Sequence, residues 1–103
     1  MASGRLGAAD LTAATNTSLY TVPTGKLASF SVCFCNRTSI PALVRLAIAT
    51  VSVPTNAEWV LYDIAVDANG SIERTGLILE ATKITVVYSN IAGVTATAYG
   101  FEE

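Results

Sequence analysis

The chain has 103 residues, of which 51% are apolar and only 14% charged; its formal net charge is −2 and it contains no histidine. A chain of this length holds one hydrophobic core. Two lysines and four arginines provide no basic patch for phosphates or anionic lipids, so neither nucleic acid nor membrane is an expected partner.

Residues 1–16, Met1 to Asn16, are small and weakly apolar with no strong period. They read as an extended N-terminal arm, of the kind a neighbour orders on contact. The main domain is expected over residues 17–103. Ser18 to Val22 reads as a first short strand, closed by the turn Pro23-Thr24-Gly25-Lys26. Leu27 to Asn36 alternates, with Ala28, Phe30, Val32 and Phe34 on one face and Ser29, Ser31, Cys33 and Cys35 on the other. Ala42 to Thr50 is the next strand, followed by the polar connection Val53 to Glu58 and a strand over Trp59 to Val66. Asp67-Ala68-Asn69-Gly70 is a hairpin-like turn into Ser71 to Leu79, where Gly76 suggests a bulge. Lys83 to Ser89 and Val94 to Phe101 complete the pattern. About seven short strands with a turn signal every 8 to 12 residues predict an all-β chain, a single antiparallel β-sandwich of jelly-roll or immunoglobulin-like form.

The apolar surplus, a mean hydropathy of +0.50, lacks the roughly 18-residue run that a transmembrane helix needs. Met1 to Asp10 lacks the apolar core of a signal peptide, so synthesis in a reducing cytoplasm is expected. The surplus is therefore assigned to subunit interfaces, as soluble monomers rarely expose large apolar patches.

Little in the chain suggests chemistry. Without histidine the Ser-His-Asp, Cys-His and most zinc arrangements are ruled out, and no glycine-rich phosphate loop precedes a helix. No catalytic residue, cofactor or metal is expected. Cys33 and Cys35 read as small, buried, reduced apolar residues, too far apart for an unstrained mutual bridge. Asp63 and Glu73 would approach one another if their strands form a hairpin; otherwise they are solvent-facing, with Arg45 or Arg74 as partners. The sequons at Asn16, Asn36 and Asn69 are attributed to chance in a chain rich in Ser and Thr. Tyr20, Trp59, Tyr62, Tyr88 and Tyr99 suit either a sugar-binding face or interface anchors, and the interface role is preferred. The interface candidates are Arg5, Leu6 and Leu11 on the arm, with Tyr20, Trp59, Tyr62, Tyr99 and Phe101 on the domain.

Several stretches carry a family resemblance. Leu19-Tyr20-Thr21-Val22-Pro23-Thr24-Gly25-Lys26, with the later Cys35-Asn36-Arg37, is similar to an opening found in small virion structural proteins of tailed bacteriophages. Pro54-Thr55-Asn56-Ala57-Glu58-Trp59 and Ala68-Asn69-Gly70-Ser71-Ile72-Glu73-Arg74-Thr75-Gly76-Leu77 resemble the middle of the same group, and Tyr99-Gly100-Phe101-Glu102-Glu103 its close. The resemblance implies a non-enzymatic, homo-oligomeric virion subunit made in the host cytoplasm. Its partners would be the major capsid protein, if it decorates or cements the capsid, or tail, collar or baseplate proteins, if it is a component of these or a fibre adaptor. A glycan-binding module and a secreted adhesin-like domain are the readings outside the virion.

Overall fold

The computed structural model describes residues 3–103. Eight strands form two four-stranded antiparallel sheets: β1 (Ser3–Asp10), β2 (Thr17–Thr21), β3 (Ala28–Asn36), β4 (Ala42–Ala49), β5 (Trp59–Val66), β6 (Ser71–Leu79), β7 (Ile84–Ser89) and β8 (Val94–Glu102). Sheet A has the order β1-β8-β3-β6 and sheet B the order β2-β7-β4-β5. The arrangement is compatible with a β-sandwich. Only β4 and β5 are neighbours both in sequence and within a sheet; every other connection crosses between the sheets. The turn after Asp67, closed by the Gly70 N–H donating to the Asp67 carbonyl at 2.9 Å, is one such crossing. The hairpin expected there does not form. Asp63 lies in sheet B and Glu73 in sheet A, so the two carboxylates do not pair.

Period-two alternation builds the core. Ala28, Phe30, Val32 and Phe34 of β3 point inward, as do Ala42, Val44 and Leu46 of β4 and Val94, Ala96 and Ala98 of β8; all are buried in one cluster fed by both sheets. Across the central pair, large meets small. Phe34 lies opposite Ala96 and Phe30 opposite Gly100. A Cβ on Gly100 would sit 2.3 Å from the Ser29 carbonyl oxygen and 2.6 Å from the Phe30 Cα, so the bulky residues of β3 depend on a glycine beside them. Asn36, 1% exposed, satisfies its buried amide by donating to the carbonyls of Ile40 (2.8 Å), Val66 (3.2 Å) and Asp67 (3.3 Å). Its side-chain oxygen accepts from the Thr38 N–H and hydroxyl. One side chain thereby ties the β3–β4 loop to the β5–β6 crossing.

The N-terminal stretch is extended over residues 3–10, where it pairs with β8 in the register Arg5–Tyr99 and Asp10–Thr95. It forms the edge of sheet A, which brings the strands to eight rather than seven. Leu11, 2% exposed, continues it into the core. Of the expected arm, Met1 and Ala2 lie outside the described residues.

The centres and the edges of the sheets differ. The β3–β8 pairing runs from Ala28–Glu102 to Asn36–Val94 without a shift, and β4–β7 runs from Val44–Ser89 to Ala49–Ile84 likewise. Each of the four edge strands is bulged instead. The extra residue is Leu6 in β1 and Leu19 in β2; in β6 the pair Thr75 and Gly76 stands opposite Ser31 alone. β5 bulges twice, with Val60 as an extra residue and with Tyr62 and Asp63 together opposite Arg45.

Candidate functional site

The outward face of sheet B carries the densest group of functional side chains. Arg45 projects from β4 and meets Tyr88 of β7 directly across the ladder. On its other side the second bulge of β5 holds Asp63 at φ 54, a left-handed conformation. A bulge turns successive residues toward the same face. Here it delivers both Tyr62 and Asp63 to one guanidinium. Arg45 Nε donates to Asp63 Oδ1 at 2.6 Å, and a terminal nitrogen donates to Oδ2 at 3.3 Å. The guanidinium carbon lies 4.2 Å from the centroid of the Tyr62 ring, 4.3 Å from that of Tyr88 and 6.0 Å from that of Trp59. Trp59 and Tyr62 meet edge to face with centroids 5.4 Å apart. Trp59 and Ile84 then cover buried Ala47, Ala49 and Val86, a small second core on the outside of the sheet. The hydrogen bond to Asp63 pushes the Arg45 pKa above its ordinary value, against the opposing effect of desolvation.

The outward face of sheet A is built differently. Its middle is Ser29, Ser31, Cys33 and Cys35 of β3 beside Thr95 and Thr97 of β8. One end is apolar: Phe101, Ser29 and Ile78 lie in one row across three strands, with Tyr99 in the next row and Leu27 hydrogen-bonded to Glu103 alongside. Ile78 is 64% exposed, and Leu27, Tyr99 and Phe101 are also exposed. At the opposite end Arg37 donates to Asp10 at 2.6 Å and to the Thr95 hydroxyl at 2.9 Å. Cys33 is half-buried and Cys35 exposed, both as free thiols. They face out because Phe30, Val32 and Phe34 take the inward positions, which corrects the expectation that both are buried. Burial, with smaller contributions from Glu73 and Cys35, raises the Cys33 pKa.

The interface candidates therefore divide. Trp59 and Tyr62 come together on sheet B, and Arg5, Tyr99 and Phe101 on sheet A. Leu11 belongs to the core, and Leu6 and Tyr20 pack against it, so these three face inward. Tyr20 stacks edge to face on Phe30 at 5.5 Å and donates its hydroxyl to the Glu102 carboxylate, joining an edge of sheet B to the last strand of sheet A. Desolvation first, and Glu102 second, raise the Tyr20 pKa well above its ordinary value. Of the partners expected for Asp63 and Glu73, Arg45 or Arg74, the structure pairs Arg45 with Asp63; the aromatic clamp around Arg45 depends on a bulge and has no signal in the sequence.

Among the described residues no pocket opens, no group of three or more metal-ligating side chains assembles, and no helix is long and apolar enough to cross a membrane. Comparison with family models, with curated proteins and with solved structures gives no match to the chain.

Proposed function

We propose that this chain is a non-enzymatic structural subunit of a tailed-bacteriophage virion, and that it decorates or cements the capsid. The reading starts from the sequence resemblance, and the observation that carries it further is the contrast between edges and faces. All four edge strands are bulged, which discourages strand-to-strand addition of another chain. The exposed apolar row of Phe101 and Ile78, with Tyr99 and Leu27 beside it, lies on a sheet face instead. A block that docks by its faces suits a symmetric shell. The strand orders β1-β8-β3-β6 and β2-β7-β4-β5 favour a jelly roll over an immunoglobulin-like arrangement. Jelly rolls occur in viral capsid proteins and in lectins, so fold alone does not choose between them.

The test is made on particles of a phage that encodes the chain, prepared with and without it. Particles lacking it should release DNA at a lower temperature, and purified chain added back should bind and restore the wild-type value. Binding that leaves the rupture temperature unchanged would move the chain to a tail, collar or baseplate position. Failure of the chain to associate with particles would contradict the virion reading, and a glycan array would then test the lectin alternative.

A further inference from the structure

We propose that Cys33 and Cys35 form a two-thiol site for one thiophilic d10 cation of the Hg(II), Ag(I) or Cu(I) class, held in linear coordination on the outward face of β3. The proposal stands apart from the virion reading and rests on the placement of the two thiols. Both are free, neither is buried, and they occupy alternate positions of one strand. β3 is hydrogen-bonded to β6 on one side and β8 on the other, and its register with β8 is unbroken from Ala28 to Asn36. The strand is therefore held straight. Same-face Cα atoms two residues apart on such a strand are separated by about 6.7 Å.

That spacing decides between the reactions open to a thiol pair. A disulfide requires sulfurs about 2.05 Å apart and usually has Cα atoms about 4.4–6.8 Å apart, so this spacing lies at the outer limit and closing a bridge here would strain a strand fixed on both sides. A linear S–metal–S unit with bonds of about 2.3 Å, as for thiolate on Zn(II), spans roughly 4.6 Å. Two thiols leaning toward each other from an undistorted strand reach that separation. Zinc wants four ligands, and no third Cys or His exists in the chain. Soft thiolates select Cu(I) and its heavier relatives, and those cations accept two ligands.

The neighbours leave the site open. Thr97 and Thr95 of β8 lie opposite Cys33 and Cys35, and Glu73 and Ser71 of β6 flank them on the other side. Glu73 also selects by charge. On binding, two S–H bonds break, two metal–sulfur bonds form and two protons leave to solvent, with no change of oxidation state. The product is neutral with Hg(II) and carries one negative charge with Ag(I) or Cu(I). A carboxylate beside Cys33 therefore ranks Hg(II) first.

Hg(II) is the probe, added to the reduced full-length chain and read by native mass spectrometry and by titration of the remaining free thiols. One equivalent should block both thiols and give one cation per chain. Cys33→Ser and Cys35→Ser, both outward-facing and so compatible with folding, should lose the intrachain adduct and bridge two chains per cation. Because the second bond is intramolecular in the wild type, stripping its cation should require on the order of 100-fold more of a competing monothiol than for either variant. Two cations per wild-type chain, one cation bridging two wild-type chains, or equal competition by all three proteins would overturn the proposal. Ready formation of an intrachain disulfide under mild oxidation would overturn it as well, because the strand would then not be rigid.

Discussion

On the outside of sheet B the side chains lean on one another: Arg45 is clamped between Tyr62 and Tyr88 and tied to Asp63, while Trp59 roofs Ala47, Ala49 and Val86. On the outside of sheet A the polar contacts gather at one end, where Arg37 holds Asp10 and Thr95. Small hydroxyl and thiol residues fill the middle, and Ile78, Phe101 and Leu27 are exposed among the described residues. Both faces are rich in apolar and aromatic residues, yet only that of sheet B uses them for its own stability. Exposure of aromatic residues is thus a poor guide to an interface until one asks whether their faces are already occupied. By that criterion the apolar end of sheet A is the better docking surface.

The largest effect should come from paired truncations. Trp59→Ala removes the cover of the outer cluster and should lower unfolding free energy by about 2–3 kcal/mol, somewhat below the usual loss for a fully buried Trp. Ile78→Ala should change it by less than about 0.5 kcal/mol, the usual range for surface substitutions. Denaturant titration of both variants checks the difference, and equal losses would erase the distinction between the faces.

A smaller effect is expected within the clamp. Arg45→Lys keeps the charge but loses the planar stack and the two-pronged contact with Asp63, and should cost about 1 kcal/mol. A lysine variant as stable as the wild type would show that charge alone holds the cluster.

The smallest effect concerns the link between the sheets. The Tyr20 pKa is raised in the folded chain, so the folded state holds the phenol proton more tightly than the unfolded state does. Its contribution is full below the unfolded value of about 10 and is lost as pH rises from there through the folded value. Tyr20→Phe should therefore flatten part of the alkaline decline in melting temperature, while keeping the ring stack on Phe30. An unchanged alkaline slope would show that the hydroxyl contributes nothing to the junction.

Much of the fold was legible in the sequence because alternation and turn chemistry are local. Trp59–Val66 and Ser71–Leu79 form strands with the expected bounds, and the remaining expected strands shift by a residue or so at their ends. The first strand was missed for a physical reason. Half of its residues are Gly or Ala, poor strand formers, and small size is what the site requires: a Cβ on Gly7 would lie 2.4 Å from the Leu19 carbonyl oxygen. The assignment of strands to sheets was not legible either, because Asp67–Gly70 has the residues of a hairpin turn but serves as a crossing. The Arg45 clamp depends on a bulge with Asp63 at positive φ, and an aspartate inside a strand pattern carries no signal for it. The outward thiols, by contrast, were on the correct face of the expected strand; only their burial was misjudged.

The central claim is that the chain docks by apolar faces with little ionic contribution. It is tested most directly by holding particles that carry the chain in 1 M salt, where the screening length falls to about 3 Å, and separately in mild detergent, then measuring how much chain stays bound. The account predicts retention in salt and release in detergent. Release in salt together with retention in detergent would contradict it.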